Sequence, residues 1–209
     1  MAIDPDRRHF LWRRLHSLAG ILPIGFYMVF HVYVANATIL AGPHAFDWIS
    51  ETLEAIPRFM LLLIEIVFIW LPIGFHGIYG VVIVREAQHN FTTYSYVRNL
   101  FYSLQRITGV LAFGFLAFHM YTTRFYNYLF GVPINYETMH GWMSNPLVFV
   151  VYAVGVLASV FHLTNGVSTF CITWGITVGA RAQRAVWATC TVLFVAMWTA
   201  GMAIVAAFR

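Results

Sequence analysis

Apolar residues gather into five long runs, at 14–38, 59–84, 104–126, 146–170 and 185–208, with short polar stretches between them. Each run reaches or exceeds about 20 residues, the length of helix that crosses ~30 Å of hydrocarbon at about 1.5 Å per residue. The pattern predicts an all-α integral membrane protein with five transmembrane helices, read as a single domain over residues 1–209. Little chain remains outside the runs, so a separate soluble catalytic domain is not expected. The first run begins only after Arg7, Arg8, Arg13 and Arg14 and lacks a small-residue cleavage site. It reads as a retained helix rather than a signal peptide.

Composition agrees with this reading. The chain is 60% hydrophobic and 10% charged, against about 25% charged for a soluble domain, and its mean hydropathy is +0.73. All 12 basic residues are arginines. Nine of them (Arg7, Arg8, Arg13, Arg14, Arg85, Arg98, Arg106, Arg181 and Arg184) fall in the N-terminal segment and the second and fourth connections. Arg58, Arg124 and Arg209 fall on the other side. Counting arginines places the N-terminus in the cytoplasm and the C-terminus outside. The arginines are split among helix ends with no stripe to follow a phosphate backbone, so no nucleic-acid partner is expected. Cys171 and Cys190 show no CxxC spacing and read as small packing residues.

Four histidines lie deep inside the apolar runs, one in each of the first four: His31, His76, His119 and His162. An imidazole inside a membrane helix is costly and marks function more often than chance placement does. Topology gives each a depth. His31 lies 17 residues beyond Arg14 and His119 lies 13 beyond Arg106, roughly 25 and 20 Å from the inner ends of their helices. His76 precedes Arg85 by nine residues and His162 precedes Phe170 by eight, which places both about 12–14 Å from their inner ends. The four therefore form an outer pair, His31 with His119, and an inner pair, His76 with His162. Facing imidazoles at one level suit the axial ligation of haem iron, and two levels imply two b haems in a bundle of the first four helices. A zinc or copper site would gather its ligands at one place. No CxxCH is present, so the haems would be held without covalent bonds.

An internal repeat supports the pairing. Leu15-His16-Ser17-Leu18-Ala19-Gly20 opens the first helix and Leu104-Gln105-Arg106-Ile107-Thr108-Gly109 opens the third. Phe30-His31-Val32-Tyr33 resembles Phe118-His119-Met120-Tyr121, and Phe75-His76-Gly77-Ile78-Tyr79-Gly80 resembles Phe161-His162-Leu163-Thr164-Asn165-Gly166. Gly80 and Gly166 stand four residues after their histidines, on the same helix face. They would leave room either for a flat macrocycle or for close helix packing. His16, Ser17, Arg14 and Arg106, at the inner ends of the first and third helices, are the expected partners of haem propionates. The remaining loop histidines, His44, His89 and His140, read as solvated surface. Pro23 and Pro72 lie within helices and are expected to kink them. Glu65 is the only acid inside an apolar run. It sits about 16 Å further out than His76 on nearly the same face, which makes it a candidate quinone-site or proton-pathway residue. The apolar stretch 172–178 before the fifth helix offers a docking surface for a soluble partner.

Arg13-Arg14-Leu15-His16-Ser17-Leu18-Ala19-Gly20, Tyr94-Ser95-Tyr96-Val97-Arg98-Asn99, Leu104-Gln105-Arg106-Ile107-Thr108-Gly109, Phe161-His162-Leu163-Thr164-Asn165-Gly166 and Thr173-Trp174-Gly175-Ile176-Thr177 carry a resemblance over nearly the whole chain. They resemble the dihaem cytochrome b anchor of succinate:quinone oxidoreductases, the single-subunit five-helix type of Bacillus-like succinate dehydrogenases and related fumarate reductases. The resemblance implies that His31, His76, His119 and His162 are the axial ligands. It also implies two partners on the cytoplasmic face, a FAD-containing flavoprotein and an iron–sulfur subunit. Quinone, with menaquinone favoured, would be the substrate, and the bacterial cytoplasmic membrane the location. A dihaem cytochrome b of another respiratory oxidoreductase (hydrogenase, formate dehydrogenase or ascorbate-linked) is the alternative. From a different class, so is a haem-free transporter or assembly anchor.

Overall fold

The structure, a computed structural model, describes residues 5–209, with no strand among them. Five helices are long and apolar enough to cross a membrane: α1 (Arg7–Ala41), α3 (Arg58–Arg85), α4 (Val97–Phe130), α6 (Pro146–Thr173) and α7 (Ala180–Ala207). Two shorter helices lie between them, α2 (Pro43–Glu54) and α5 (Tyr136–Met143).

All five expected spans are present, but most run past the apolar residues that announced them. The expected 104–126, for example, is the middle of Val97–Phe130. Hydropathy registers only side chains that prefer lipid, whereas the backbone ladder continues until a cap or breaker stops it. Gly131, at φ 68°, ends α4 in the left-handed region that glycine adopts without strain. At the other end of the next span, Pro146 occupies the first turn of α6, and the Asn145 side chain accepts a hydrogen bond from the Leu147 amide at 2.9 Å. The loops also hide helices that the apolar runs could not reveal. In α2 and α5, few apolar residues suffice because the two helices touch each other, with the Tyr136 amide donating to Asp47.

Hydrogen bonds fix how the helices alternate. Arg13 near the start of α1 meets Glu86 just past the end of α3 at 2.8 Å, and Arg14 donates to the Thr173 carbonyl at the end of α6 at 3.0 Å. Arg98 and Gln183 join the starts of α4 and α7 at 3.2 Å. One end of the protein, here the near end, therefore collects the starts of α1, α4 and α7 and the ends of α3 and α6. The far end carries α2 and α5 and the best-buried apolar cluster, which includes Ile39, Phe46, Met143, Tyr152 and Phe208. The fifth spanning helix, α7, packs against α6. It is also tied to α1 by the Tyr33 hydroxyl, which donates to the Met197 carbonyl at 2.8 Å.

Four π-helical turns interrupt the spans: Gly20–Gly25 and His31–Ala35 in α1, Ile66–Trp70 in α3 and Tyr121–Phe125 in α4. Two of them answer the expected proline kinks. Pro23 lies inside the first, and Pro72 stands two residues past the end of the third. A proline offers no N–H to the carbonyl four residues back and its ring crowds that carbonyl. The wider turn accommodates both effects. Such turns recur at functional sites.

Candidate cofactor and ligand sites

The four intramembrane histidines meet in the two expected pairs. The ring centres of His76 and His162 are 6.1 Å apart with the planes at 88°. Those of His31 and His119 are 5.7 Å apart at 68°. Two imidazoles bound to opposite faces of one metal, each with a metal–nitrogen bond of about 2 Å, would have ring centres roughly 6 Å apart. Their planes both contain the metal–nitrogen axis, so any angle between them is allowed. Both pairs fit that arrangement. No group of three or more His, Cys, Asp or Glu forms a metal cage among the described residues. A pair of this kind suits a metal that arrives with its equatorial positions already filled.

The repeat builds the near pair from main-chain groups. His76 Nδ1 donates to the carbonyl of His16 at 2.9 Å. His162 Nδ1 donates to the carbonyl of Gln105, also at 2.9 Å. His16 and Gln105 hold the same position in the two copies of the repeat. A carbonyl can only accept, so each bond fixes the proton on Nδ1 and leaves the lone pair on Nε2, the arrangement a metal-ligating histidine needs. The glycine four residues on completes the seat. A Cβ on Gly20 would stand 2.9 Å from His76 Nδ1, and one on Gly109 would stand 2.8 Å from His162 Cε1.

Of the two expected roles of Gly80 and Gly166, these contacts favour close helix packing. A Cβ on Gly80 would meet His16 Nε2 at 3.3 Å, and one on Gly166 would meet Gln105 Nε2 at 3.5 Å. The space they leave is filled by the side chains of the repeat's second position, not left open beside the histidine. There the His16 ring stacks on His76 with centres 3.9 Å apart. Gln105 instead accepts from Asn165 Nδ2 at 2.7 Å and donates to the His162 carbonyl at 3.0 Å.

Side chains hold the far pair, in a relay through Tyr152 and Thr122. With Thr122 donating to the Phe118 carbonyl at 3.1 Å, its oxygen accepts from the Tyr152 hydroxyl at 3.0 Å. The Tyr152 oxygen then accepts from His119 Nδ1 at 3.2 Å. For His31, the Asn36 amide nitrogen donates both to the His31 carbonyl at 2.7 Å and to Nε2 at 3.3 Å. Nδ1 is left facing the Tyr27 hydroxyl at 3.5 Å. The near pair thus keeps its lone pairs free on Nε2, whereas Nε2 of His31 accepts from Asn36. Neither Tyr152 nor Asn36 was singled out from sequence. Tyr152 sits in an apolar run with no motif around it. Asn36 could have been noticed as a polar residue five positions after a ligand candidate.

The other expected site residues divide. Arg14 and Arg106 lie at the near end but not as free surface arginines. Arg14 lies over the rings of Phe10 and Trp174, and Arg106 lies 3.3 Å over Tyr102 and donates to its carbonyl at 2.7 Å. The Nε of each is buried without a hydrogen-bond partner. Ser17 is half-buried beside His16. Glu65, the only acid inside an apolar run, has a charged partner. Its Oε1 pairs with Arg124 at 2.6 Å, with side-chain exposures of 12% and 18%. Arg124 reads from sequence as a topology anchor only. One loop histidine differs from expectation. His140 is half-buried in α5 and donates to the Phe208 carbonyl at 3.1 Å. His44 and His89 are exposed, as expected, and His89 also meets the Ser103 hydroxyl at 3.1 Å.

Comparison with known proteins yields two findings. A family model described as "Succinate dehydrogenase/Fumarate reductase transmembrane subunit" matches residues 84–203. The succinate dehydrogenase cytochrome b558 subunit of Bacillus subtilis (strain 168) is 38% identical over 202 residues, which cover 96% of this chain and 98% of that protein.

Proposed function

The chain belongs to the succinate dehydrogenase/fumarate reductase transmembrane subunit family, and on that premise we propose that it carries electrons through two b haems between an iron–sulfur subunit and a quinone. His76 and His162 hold the inner haem, and His31 and His119 hold the outer one. Each haem supplies a reversible one-electron couple. The observation that carries this reading is the meeting of the four imidazoles two by two, with ring centres 6.1 and 5.7 Å apart.

The protein's own residues orient and exclude. The carbonyls of His16 and Gln105 aim the inner imidazoles, and the Tyr152–Thr122 relay aims His119. Arg14 and Arg106, with buried Nε–H groups that lack partners, are placed for the propionates, with His16 and Ser17 beside them. Glu65 serves the quinone end as a proton-handling carboxylate. The subunit does no bond chemistry on succinate, which falls to the FAD-containing flavoprotein.

Arginine distribution supports an N-terminus in the bacterial cytoplasm and a C-terminus outside. The near end then faces the iron–sulfur subunit. Ile176 and Val178, exposed at 64% and 81%, present an apolar docking surface there. Menaquinone is the quinone that the family resemblance favours. The matched family speaks against the anchor of another respiratory oxidoreductase.

The test is a redox difference spectrum of the purified complex and two variants. Two b-type signals are expected, one lost in His76→Ala and the other in His31→Ala. A complex with no b-type signal overturns the reading. So does one in which both variants lose the same signal.

A further inference from the structure

The Glu65–Arg124 ion pair takes no part in holding either haem. It sits inside two spanning helices, α3 and α4, where a charge is costly and marks function. Each partner lies at a π-helical turn: Glu65 directly precedes Ile66–Trp70, and Arg124 lies within Tyr121–Phe125. Arg124 follows His119 by five residues, so the pair sits about 7 Å beyond the outer histidines along α4.

The pair is not closed on itself. Arg124 gives Nη2 to Glu65, while its Nε is buried without a hydrogen-bond partner. A guanidinium has five donors in a planar fork and can serve two acceptors at once. Glu65 keeps a second oxygen, Oε2, whose contact is a long one of 3.5 Å from the Tyr128 hydroxyl. The pair therefore carries a spare donor and a spare acceptor. Leu62 and Phe68, three residues to either side of Glu65, are exposed at 44% and 60%. A lipid-soluble molecule can approach along that flank.

We propose that Arg124 is the hydrogen-bond donor of the quinone site, its guanidinium bonding the quinone oxygen while holding Glu65 in place to accept from the quinol hydroxyl. The two redox forms need opposite partners, since a quinone oxygen only accepts and a quinol hydroxyl also donates. The ion pair offers both. This inference rests on the reading of Glu65 as a quinone-site residue.

The test uses the assembled membrane complex with Arg124→Gln, Arg124→Lys and Glu65→Gln, and menadiol as a tail-less quinol probe. Haem content, kcat and KM for menadiol, and the shift of the outer-haem spectrum on adding menadiol are read for each. Lysine keeps the charge for Glu65 but lacks the planar fork. Arg124→Lys is expected to keep both haems while raising KM about ten-fold and abolishing the spectral shift. Arg124→Gln is expected to do at least as much, and if it loses haem the lysine variant decides. Wild-type KM and shift in Arg124→Lys overturn the proposal. If Glu65→Gln alone loses quinol turnover, the quinone site stands without Arg124. If all three variants behave as wild type, the site lies elsewhere and both readings fall.

Discussion

Gly20 lies against the imidazole of His76: a methyl group at position 20 would stand 2.9 Å from Nδ1 and closer still to Cε1. The ring cannot swing away without breaking its bond to the His16 carbonyl. Gly20→Ala is therefore expected to cost about 1–3 kcal/mol in overpacking and to remove the inner-haem signal while leaving the outer one. Gly109→Ala should do the same through His162. Gly74→Ala, at a glycine with nothing within 4 Å of its Cβ position, is the control and should leave both signals intact. Difference spectra of the three variants check this.

Tyr152→Phe keeps the ring, which packs against Phe115, Phe118 and His119, and removes only the hydroxyl. His119 Nδ1–H then loses its acceptor. Donation from that nitrogen raises the basicity of the ligating one. The outer haem is expected to shift to a higher midpoint potential, with the inner haem unmoved. Potentiometric titration followed at both bands measures it. Equal shifts at both haems would show that the relay does not act through His119.

Tyr33→Phe removes the hydroxyl that links α1 to the Met197 carbonyl of α7. That carbonyl retains its place in the helical ladder, so no buried group is orphaned. The expected loss is small, about 0.5–1.5 kcal/mol, with both haem signals unchanged. Thermal unfolding in detergent is the readout.

At the near end, the hydrogen bond from Arg13 holds the Glu86 carboxyl below the usual carboxylate range, and His9 adds to the effect. A depressed folded-state value means the contact stabilises above the unfolded value and is lost as pH falls through the folded one. Acidification should therefore release the α1–α3 tie at its near end. Arg13→Gln should return Glu86 toward its ordinary titration, which carboxylate infrared bands can follow.

The five spans and both histidine pairs were legible in the sequence because they depend on things sequence carries directly. Apolar length sets a span, arginine placement sets depth, and repeat position sets pairing. What escaped depends on contacts between segments. The π-helical turns change backbone register without changing hydropathy. Gly80 could read either as room for a macrocycle or as a packing position because its neighbour, His16, lies 64 residues away. Arg124 looked like an anchor because nothing local indicates that Glu65, 59 residues earlier, bends toward it.

The groups that aim His76 and His162 belong to peptide bonds, not to side chains. A histidine and a glutamine can therefore stand at the two matching positions, each free to take on other contacts, while the same carbonyl performs the same task beneath them. Point mutation of the side chain at position 16 or 105 leaves that task untouched. What the inner site cannot tolerate is a change in the path of the chain itself. Its specification is spread over the course of two helix openings, and a mutational scan that swaps side chains alone would undervalue it.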